Sequence, residues 1–446
     1  MDESPSTSTR PGRFRSLGRA LAHRNYRLFF AGQFVSMIGT WMTRTASSWL
    51  VFRLSPPELQ AALLGIVGFA SQIPAFFLAP LAGVLVDRWN RHRLLVVTQA
   101  LSLIQSALLA ALAFSAEPGL VTILILIVLN VCQGLINAFD MPARQAFMVE
   151  MIDRKEDLAN AIALNSSLVN GARLVGPAIA GVLIFLTSEG WCFVIDALSY
   201  LAVIAALLAM RIAARPREIQ HAPVWHGLVE GFRYAFGFAP IRAILVLLAL
   251  VSFMGMPYSV LMPIFAKDLG GGSETMGFLL AASGLGALAG ALHLAARKTV
   301  LGLGRTIVLA TAAFGLSLIG FAVSEKLWLS LLLLLVAGFG MMVEMAASNT
   351  ILQTIVDESK RGRVMSFYTM AFLGIAPLGS LFAGALASAI DARTTVMIGG
   401  GACILGAILF AVKLPQIRAL VRPIYVQMGI LPQVASGLQT ATTTEE

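Results

Sequence analysis

Apolar runs of about twenty residues recur along the whole of this chain, and they leave it few folds to choose from. About twenty residues of helix cross the roughly 30 Å of hydrocarbon in a bilayer. A helix also satisfies its own backbone groups, which lipid demands. The pattern predicts spans at 26–51, 60–86, 94–114, 120–139, 158–186, 191–210, 241–265, 276–296, 306–323, 328–346, 364–389 and 394–412. Composition agrees: only 12% of residues are charged, against about 25% in an ordinary soluble domain, so most of the outer surface must face lipid.

Charge placement sets the topology. Of 32 Lys and Arg, 26 fall in the two tails and the even-numbered loops, counting Arg27 and Arg242 at the adjoining ends of spans 1 and 7. The odd-numbered loops hold only Arg53, Lys267, Lys326 and Arg393. The positive-inside rule then puts both termini in the cytosol. It also accounts for the net charge of +9 without a nucleic-acid partner. Residues 1–24 lack the apolar core of a signal peptide and read as a disordered cytosolic tail. Residues 413–446 read as a second cytosolic tail.

The longest interior connection, 211–240, divides the chain into six-span halves at 25–210 and 241–412. Within it Trp225, Leu228, Val229, Phe232 and Phe236 share a helical face, with Glu230 and Arg233 off it. That pattern predicts an amphipathic helix on the cytosolic lipid surface, with a plain linker helix as the alternative. A weak repeat supports the halves. Met151-Ile-Asp-Arg leads into span 5 and Ile355-Val-Asp-Glu into span 11, as in transporters built from repeated halves.

No enzyme motif stands out. A Walker loop, a His-Glu-x-x-His and a Gly-x-Ser-x-Gly are all missing, so the chain is read as a non-enzyme without cofactor or metal. Cys132, Cys192 and Cys403 lie in or beside apolar runs and read as small core residues.

The informative pattern is polar stripes inside spans. Gln33, Ser36, Thr40, Thr43, Arg44 and Ser47 share one face of span 1; Asn130, Gln133, Asn137 and Asp140 share one face of span 4. Such groups must face protein or a water-filled cavity. Interhelical glue is the plain alternative for either stripe; the two together favour a shared aqueous cavity. Met254, Met256 and Tyr258 of span 7 suit an apolar, loosely specified cargo. Ionisable groups at membrane depth are functional candidates, here Arg44, Arg173, Asp196 and Glu344. Burial disfavours a carboxylate's charged form, so Asp196 and Glu344 suit proton transfer. A structural ion pair of Asp196 with Arg173 or Arg44 is the competing reading. Gly176-Pro177, Met256-Pro257, Pro263 and Ala376-Pro377 mark sites where spans bend.

Loop 2–3 reads Gly83-Val-Leu-Val-Asp87-Arg88-Trp-Asn90-Arg91-His92-Arg93. It resembles the signature loop of the major facilitator superfamily, with Asn90 where the family has Gly. The resemblance implies that Gly83 allows close helix approach and that Asp87 docks at the start of span 11, near Gly362 and Arg363. The corresponding loop 8–9, from Gly290 to Leu294, has no Asp. Gly171-Ala-Arg-Leu-Val-Gly176-Pro177-Ala-Ile-Ala-Gly181 resembles the Gly-Pro motif of proton-antiporting exporters. Asn25-Tyr26-Arg27, Gly39-Thr-Trp41-Met42, Asp140-Met-Pro142-Ala-Arg144-Gln145, Asn160 to Ser166 and Arg361-Gly362-Arg363-Val-Met-Ser366 resemble the bacterial branch of the enterobactin exporter and macrolide-efflux-like proteins. That branch is expected to be neutral where Asp196 stands.

The resemblance implies an all-α membrane protein with twelve transmembrane helices in two pseudo-symmetric six-helix bundles, the major facilitator fold. The expected function is proton-coupled export of a small molecule (drug, siderophore or secondary metabolite) across the bacterial inner membrane, by a monomer with both termini cytoplasmic. The alternatives are an importing symporter on the same fold and a non-transporting sensor or scaffold.

Overall fold

The computed structural model describes residues 18–115, 117–152, 154–211, 232–297 and 299–430. The helices are α1 (Arg24–Leu54), α2 (Gln60–Ala70), α3 (Ile73–Arg88), α4 (Arg91–Ser115), α5 (Leu120–Glu150), α6 (Leu158–Leu186), α7 (Glu189–Leu208), α8 (Ala239–Leu250), α9 (Met262–Asp268), α10 (Ser273–Ala295), α11 (Leu303–Val323), α12 (Leu327–Ile355), α13 (Glu358–Thr369), α14 (Ala376–Ala389) and α15 (Ala392–Gln427). Counted with their short breaks bridged, eleven stretches of the described residues are long and apolar enough to cross a membrane. Helix α1 matches them in length at 31 residues, but its polar stripe, with Arg44 and Arg53, sets it apart.

Proline explains where spans break. The run expected at 60–86 splits at Ser71 and Gln72, because Pro74 cannot donate to the carbonyl four residues back. The run over 241–265 passes through a wide π turn at Val251–Gly255 and a tight 3-10 turn at Met256–Ser259 before α9. The run over 364–389 has a second π turn at Met370–Gly374, just ahead of Pro377. In both, the ring removes a donor from the preceding turn, as read from the sequence. Pro177 behaves differently: α6 runs through it unbroken.

Ion pairs and hydrogen bonds sort the loops onto two faces. Arg53 joins Glu189 at 2.8 Å, and Arg393 approaches Asp268 at 3.4 Å, on the face away from the tails. On the tail face Tyr26 donates to the Ala161 carbonyl, Asn25 to the Arg211 carbonyl, and Arg91 pairs with Glu150.

Three expectations need correction. Residues 19–22, within the expected tail, form a 3-10 turn held by a bond from the Ala20 amide to Asn160 Oδ1. Helix α15 continues through Pro415 and Pro423 to Gln427, well past the expected end at 412. In the linker, Trp225, Leu228, Val229 and Glu230 lie outside the described residues. Phe232 and Phe236 stack at 4.4 Å and meet Phe367 of α13 edge-on, while Lys360 sits 4.4 Å over Tyr234. That segment therefore packs on protein as well as facing outward.

Two backbone crossings close the face away from the tails. On α6 and α10, a Cβ built on Gly181 would lie 2.6 Å from the Ser273 carbonyl, and one on Gly277 2.6 Å from the Pro177 carbonyl. On α2 and α14, a Cβ on Gly65 would lie 2.7 Å from the Ser380 carbonyl, and one on Gly384 2.7 Å from the Ala61 carbonyl. Each crossing pairs small residues four apart on both helices, the spacing that lets backbones touch in lipid. Ser273 also donates to the Gly181 carbonyl at 3.1 Å.

Gly277→Val and Gly384→Val should each lower the melting temperature in detergent by an amount equivalent to about 1–3 kcal/mol of overpacking. Gly401→Val, where a Cβ meets nothing within 4 Å, serves as the control, and equal shifts in all three would refute the crossings. A second expectation concerns Asp391, which caps α15 by accepting from the Thr394 amide at 2.7 Å. That bond holds its carboxyl below the usual value, so its contribution is present above about pH 3.9 and fades as pH falls through the lower folded value. Asp391→Ala should cost about 1 kcal/mol at neutral pH, and the difference from the parent should shrink on acidification in a thermal-melt series.

Candidate functional site

The polar stripe of α1 divides between two environments. Gln33 and Ser36 are each only 3% exposed and face neighbouring helices. Thr40, Thr43 and Arg44 are more open, and Arg44 is exposed. Gln33 accepts from Arg144 at 2.6 Å, which ties α1 to α5. Those two buried residues therefore act as glue, and the cavity expected along the whole stripe does not reach them.

Arg144 also holds Asp140 one turn away. Asp140 Oδ1 accepts from Thr98 and Gln99 of α4, each at 2.8 Å. Farther along, Gln133 donates to Ser102 and Asn137, and Gln105 donates to the Leu129 carbonyl. Asn130 bonds back to its own helix at Leu126. The stripe of α5 is thus shared between contacts to α4 and half-buried groups beside open space. Sequence reasoning missed the partner face on α4: Thr98, Gln99, Ser102, Gln105 and Ser106 are all buried. Their spacing follows one side of a helix, so the signal was present.

Asp196 of α7 is 1% exposed and sits against Gly39, where a Cβ would lie 2.6 Å from its Oδ1. Its Oδ2 accepts from Thr43 at 2.7 Å and Ser106 at 2.9 Å; its Oδ1 has no protein donor. No ion pair forms with Arg44 or Arg173, so the ion-pair reading of Asp196 is corrected: three helices hold it by hydroxyls alone. Glu344 of α12 repeats the pattern. Ser348 donates to Oε1 at 3.2 Å, and Oε2 has no protein donor. Tyr368 bonds the neighbouring Met345 carbonyl.

Two cations lie over the Trp41 ring. The Arg44 guanidinium is 5.1 Å from its ring centroid and that of Arg173 is 5.8 Å away. Gly176 makes this possible, because a Cβ there would collide with Trp41 Cβ at 2.5 Å. The Gly176-Pro177 motif therefore serves packing: Gly176 seats Trp41, and the Pro177 carbonyl meets Gly277. Tyr258 shares a hydrogen bond with Ser283 at 2.6 Å. Met254 and Tyr258 line a small hollow with Leu261, Ala383 and Thr395; Met256 stands outside it.

The signature loop is less revealing. A Cβ on Gly83 would meet nothing within 4 Å, so close approach is not its role in this state. The side chain of Asp87 lies outside the described residues. Arg88 is exposed, Arg91 pairs with Glu150, and Arg363 is half-buried. No group of three or more metal-ligating side chains occurs among the described residues.

Comparison with known proteins agrees with this architecture. The chain is 26% identical to the staphyloferrin A transporter of Staphylococcus aureus over 377 residues, covering 84% of this chain and 92% of that one. It is 27% identical to the multidrug efflux pump Tap of Mycolicibacterium fortuitum, covering 86% and 93%. It is 24% identical to the enterobactin exporter EntS of Escherichia coli, covering 87% and 92%. Among solved structures, a bacterial homologue of the human lysosomal transporter Spinster, inward-facing and unoccupied, superposes with a TM-score of 0.64 at 15% identity over 93% and 99% of the two chains. A peptide transporter of the POT family superposes at 0.68 with 12% identity over 89% and 95%. Residues 18–428 match the model of the transmembrane secretion effectors, and with helices, crossings and relatives in agreement, the chain belongs to that family of major facilitator transporters.

Proposed function

We propose that this protein is a proton-coupled exporter of small molecules in the bacterial inner membrane, working as a monomer by alternating access. With α1 counted, twelve spans form two six-helix halves with both termini cytoplasmic. The observation that carries this reading is the asymmetry of closure. Two glycine crossings seal the face away from the tails, while Ser166 and Ser167, in the tail-side half of α6, stay exposed. A Cβ on Gly171, in the same half of that helix, would also meet nothing within 4 Å, which supports a cleft that opens toward the cytosol and receives cargo there. Reversal requires only that α6–α10 and α2–α14 part at their glycine faces. The solved neighbours support the fold, and the relatives that are named as exporters support the direction.

Asp196 and Glu344 are the proton carriers in this reading. Each is buried, hydroxyl-bound and without a cation, so a proton is the counter-charge left to it. Motion of α1 would change the bonds at Asp196, because Thr43 supplies one of them. The cargo is a drug, siderophore or secondary metabolite, held between the halves near Thr40, Arg44, Asn130 and Asn137.

The test is extrusion from inverted vesicles with and without a pH gradient. Transport should stop when the gradient is collapsed. Asp196→Asn and Glu344→Gln should each reduce gradient-driven extrusion by tenfold or more while leaving counterflow exchange intact. Full gradient-driven transport in both variants would eliminate the two carriers. Accumulation inside cells instead of depletion would establish an importer.

A further inference from the structure

Arg44 and Arg173 are two cations at membrane depth with no anion. Neither makes an ion pair or a side-chain hydrogen bond among the described residues. Asp196 and Glu344 take their side-chain hydrogen bonds from Thr43, Ser106 and Ser348 instead, and each keeps one oxygen without a protein donor. What holds the pair is the Trp41 ring, at 5.1 and 5.8 Å. Ring quadrupoles attract a cation but neutralise no charge. A guanidinium carries five donors in a planar fork suited to oxyanions, and here two such forks meet at one ring.

Their surroundings place them where cargo would lie. Arg44 is exposed although its helix packs against α6 and α7, so its charged end reaches open space. Arg173 lies at the seam, since a Cβ on Gly284 of α10 would sit 3.2 Å from its carbonyl. That carbonyl has lost its helical donor to Pro177.

We infer that Arg44 and Arg173 form an oxyanion-binding subsite and that the transported molecules are organic anions. The anionic group docks between the two guanidiniums, with Trp41 as the platform that keeps both forks in place. This rests on the carrier reading for its meaning, though the site itself is testable without transport. The two forks come from different helices, Arg44 from α1 and Arg173 from α6, which pack against each other where Gly176 meets Trp41.

The test uses purified protein in phosphatidylcholine nanodiscs and matched probes: salicylate and citrate as anions, salicylamide as the neutral analogue, and N-methylquinolinium as the cation. Binding is read by thermal stabilisation, and movement by uptake into proteoliposomes. At least one anion should bind in preference to its neutral analogue. Arg44→Gln and Arg173→Gln should each weaken it about tenfold or more, as expected for loss of a charge-assisted hydrogen bond. Arg44→Lys and Arg173→Lys, which keep the charge, should retain most of the binding and report on folding. Indifference to both anions, or equal anion binding in the Gln variants, overturns the subsite. Loss of the anion's effect on adding phosphatidylglycerol would mean that a lipid headgroup is the occupant, and overturns its assignment to cargo. If anions bind through the pair but no probe moves, the subsite stands and the carrier reading falls.

Discussion

A charged or polar side chain inside a bilayer must find water, a partner or a proton, and the interior of this protein is arranged around that demand. Asp140 finds a cation and two neutral donors. Asp196 and Glu344 find only hydroxyls. Arg44 and Arg173 find an aromatic ring. Each solution commits the residue to a different task. The Asp140 network, with Arg144, Gln33, Thr98 and Gln99, binds α1, α4 and α5 into one unit. The other two solutions leave charge uncompensated, and uncompensated charge is what a substrate or a proton can respond to.

The helix-scale architecture was legible because apolar run length and proline position are local properties. The breaks at Val251–Gly255 and Met370–Gly374 follow from Pro257 and Pro377, and both were readable. The packing role of Gly176-Pro177 was not legible, because it depends on Trp41, 135 positions earlier, and on Gly277. The polar face of α4 was within reach, since Thr98, Ser102 and Ser106 repeat every four residues. Which member of a stripe faces water was not legible, because burial of Gln33 and exposure of Arg44 are set by neighbours far off in the chain.

The two glycine crossings have the same construction, with small residues four apart on each helix and carbonyls within reach of the partner glycine. Such surfaces hold by van der Waals contact and a single hydroxyl bond from Ser273, without interlocked side chains or ion pairs. They can separate without leaving a buried charge behind. Stronger locks sit elsewhere on that face, at Arg53 with Glu189 and Arg393 with Asp268, and each of those joins loops within the same half of the sequence. These two crossings are therefore held by close apolar contact, and the ion pairs on the same face each stay within one half of the sequence.

Helix α1 connects the parts. Thr43 and Arg44 are consecutive, so about 100° of helix separates their directions. Thr43 reaches across to Asp196 on α7, and Arg44 reaches to Trp41 and the space beside α6. Gly39, one turn earlier, allows α1 to lie against Asp196 at all. A rotation of α1 that pulled Arg44 toward an arriving anion would also draw Thr43 from the carboxyl and alter how firmly it holds a proton. On the proposed reading, coupling between cargo and proton would need no chain of intermediates, because one helix carries a contact to each. The constraint that keeps polar groups out of lipid is what places both contacts on the same few residues.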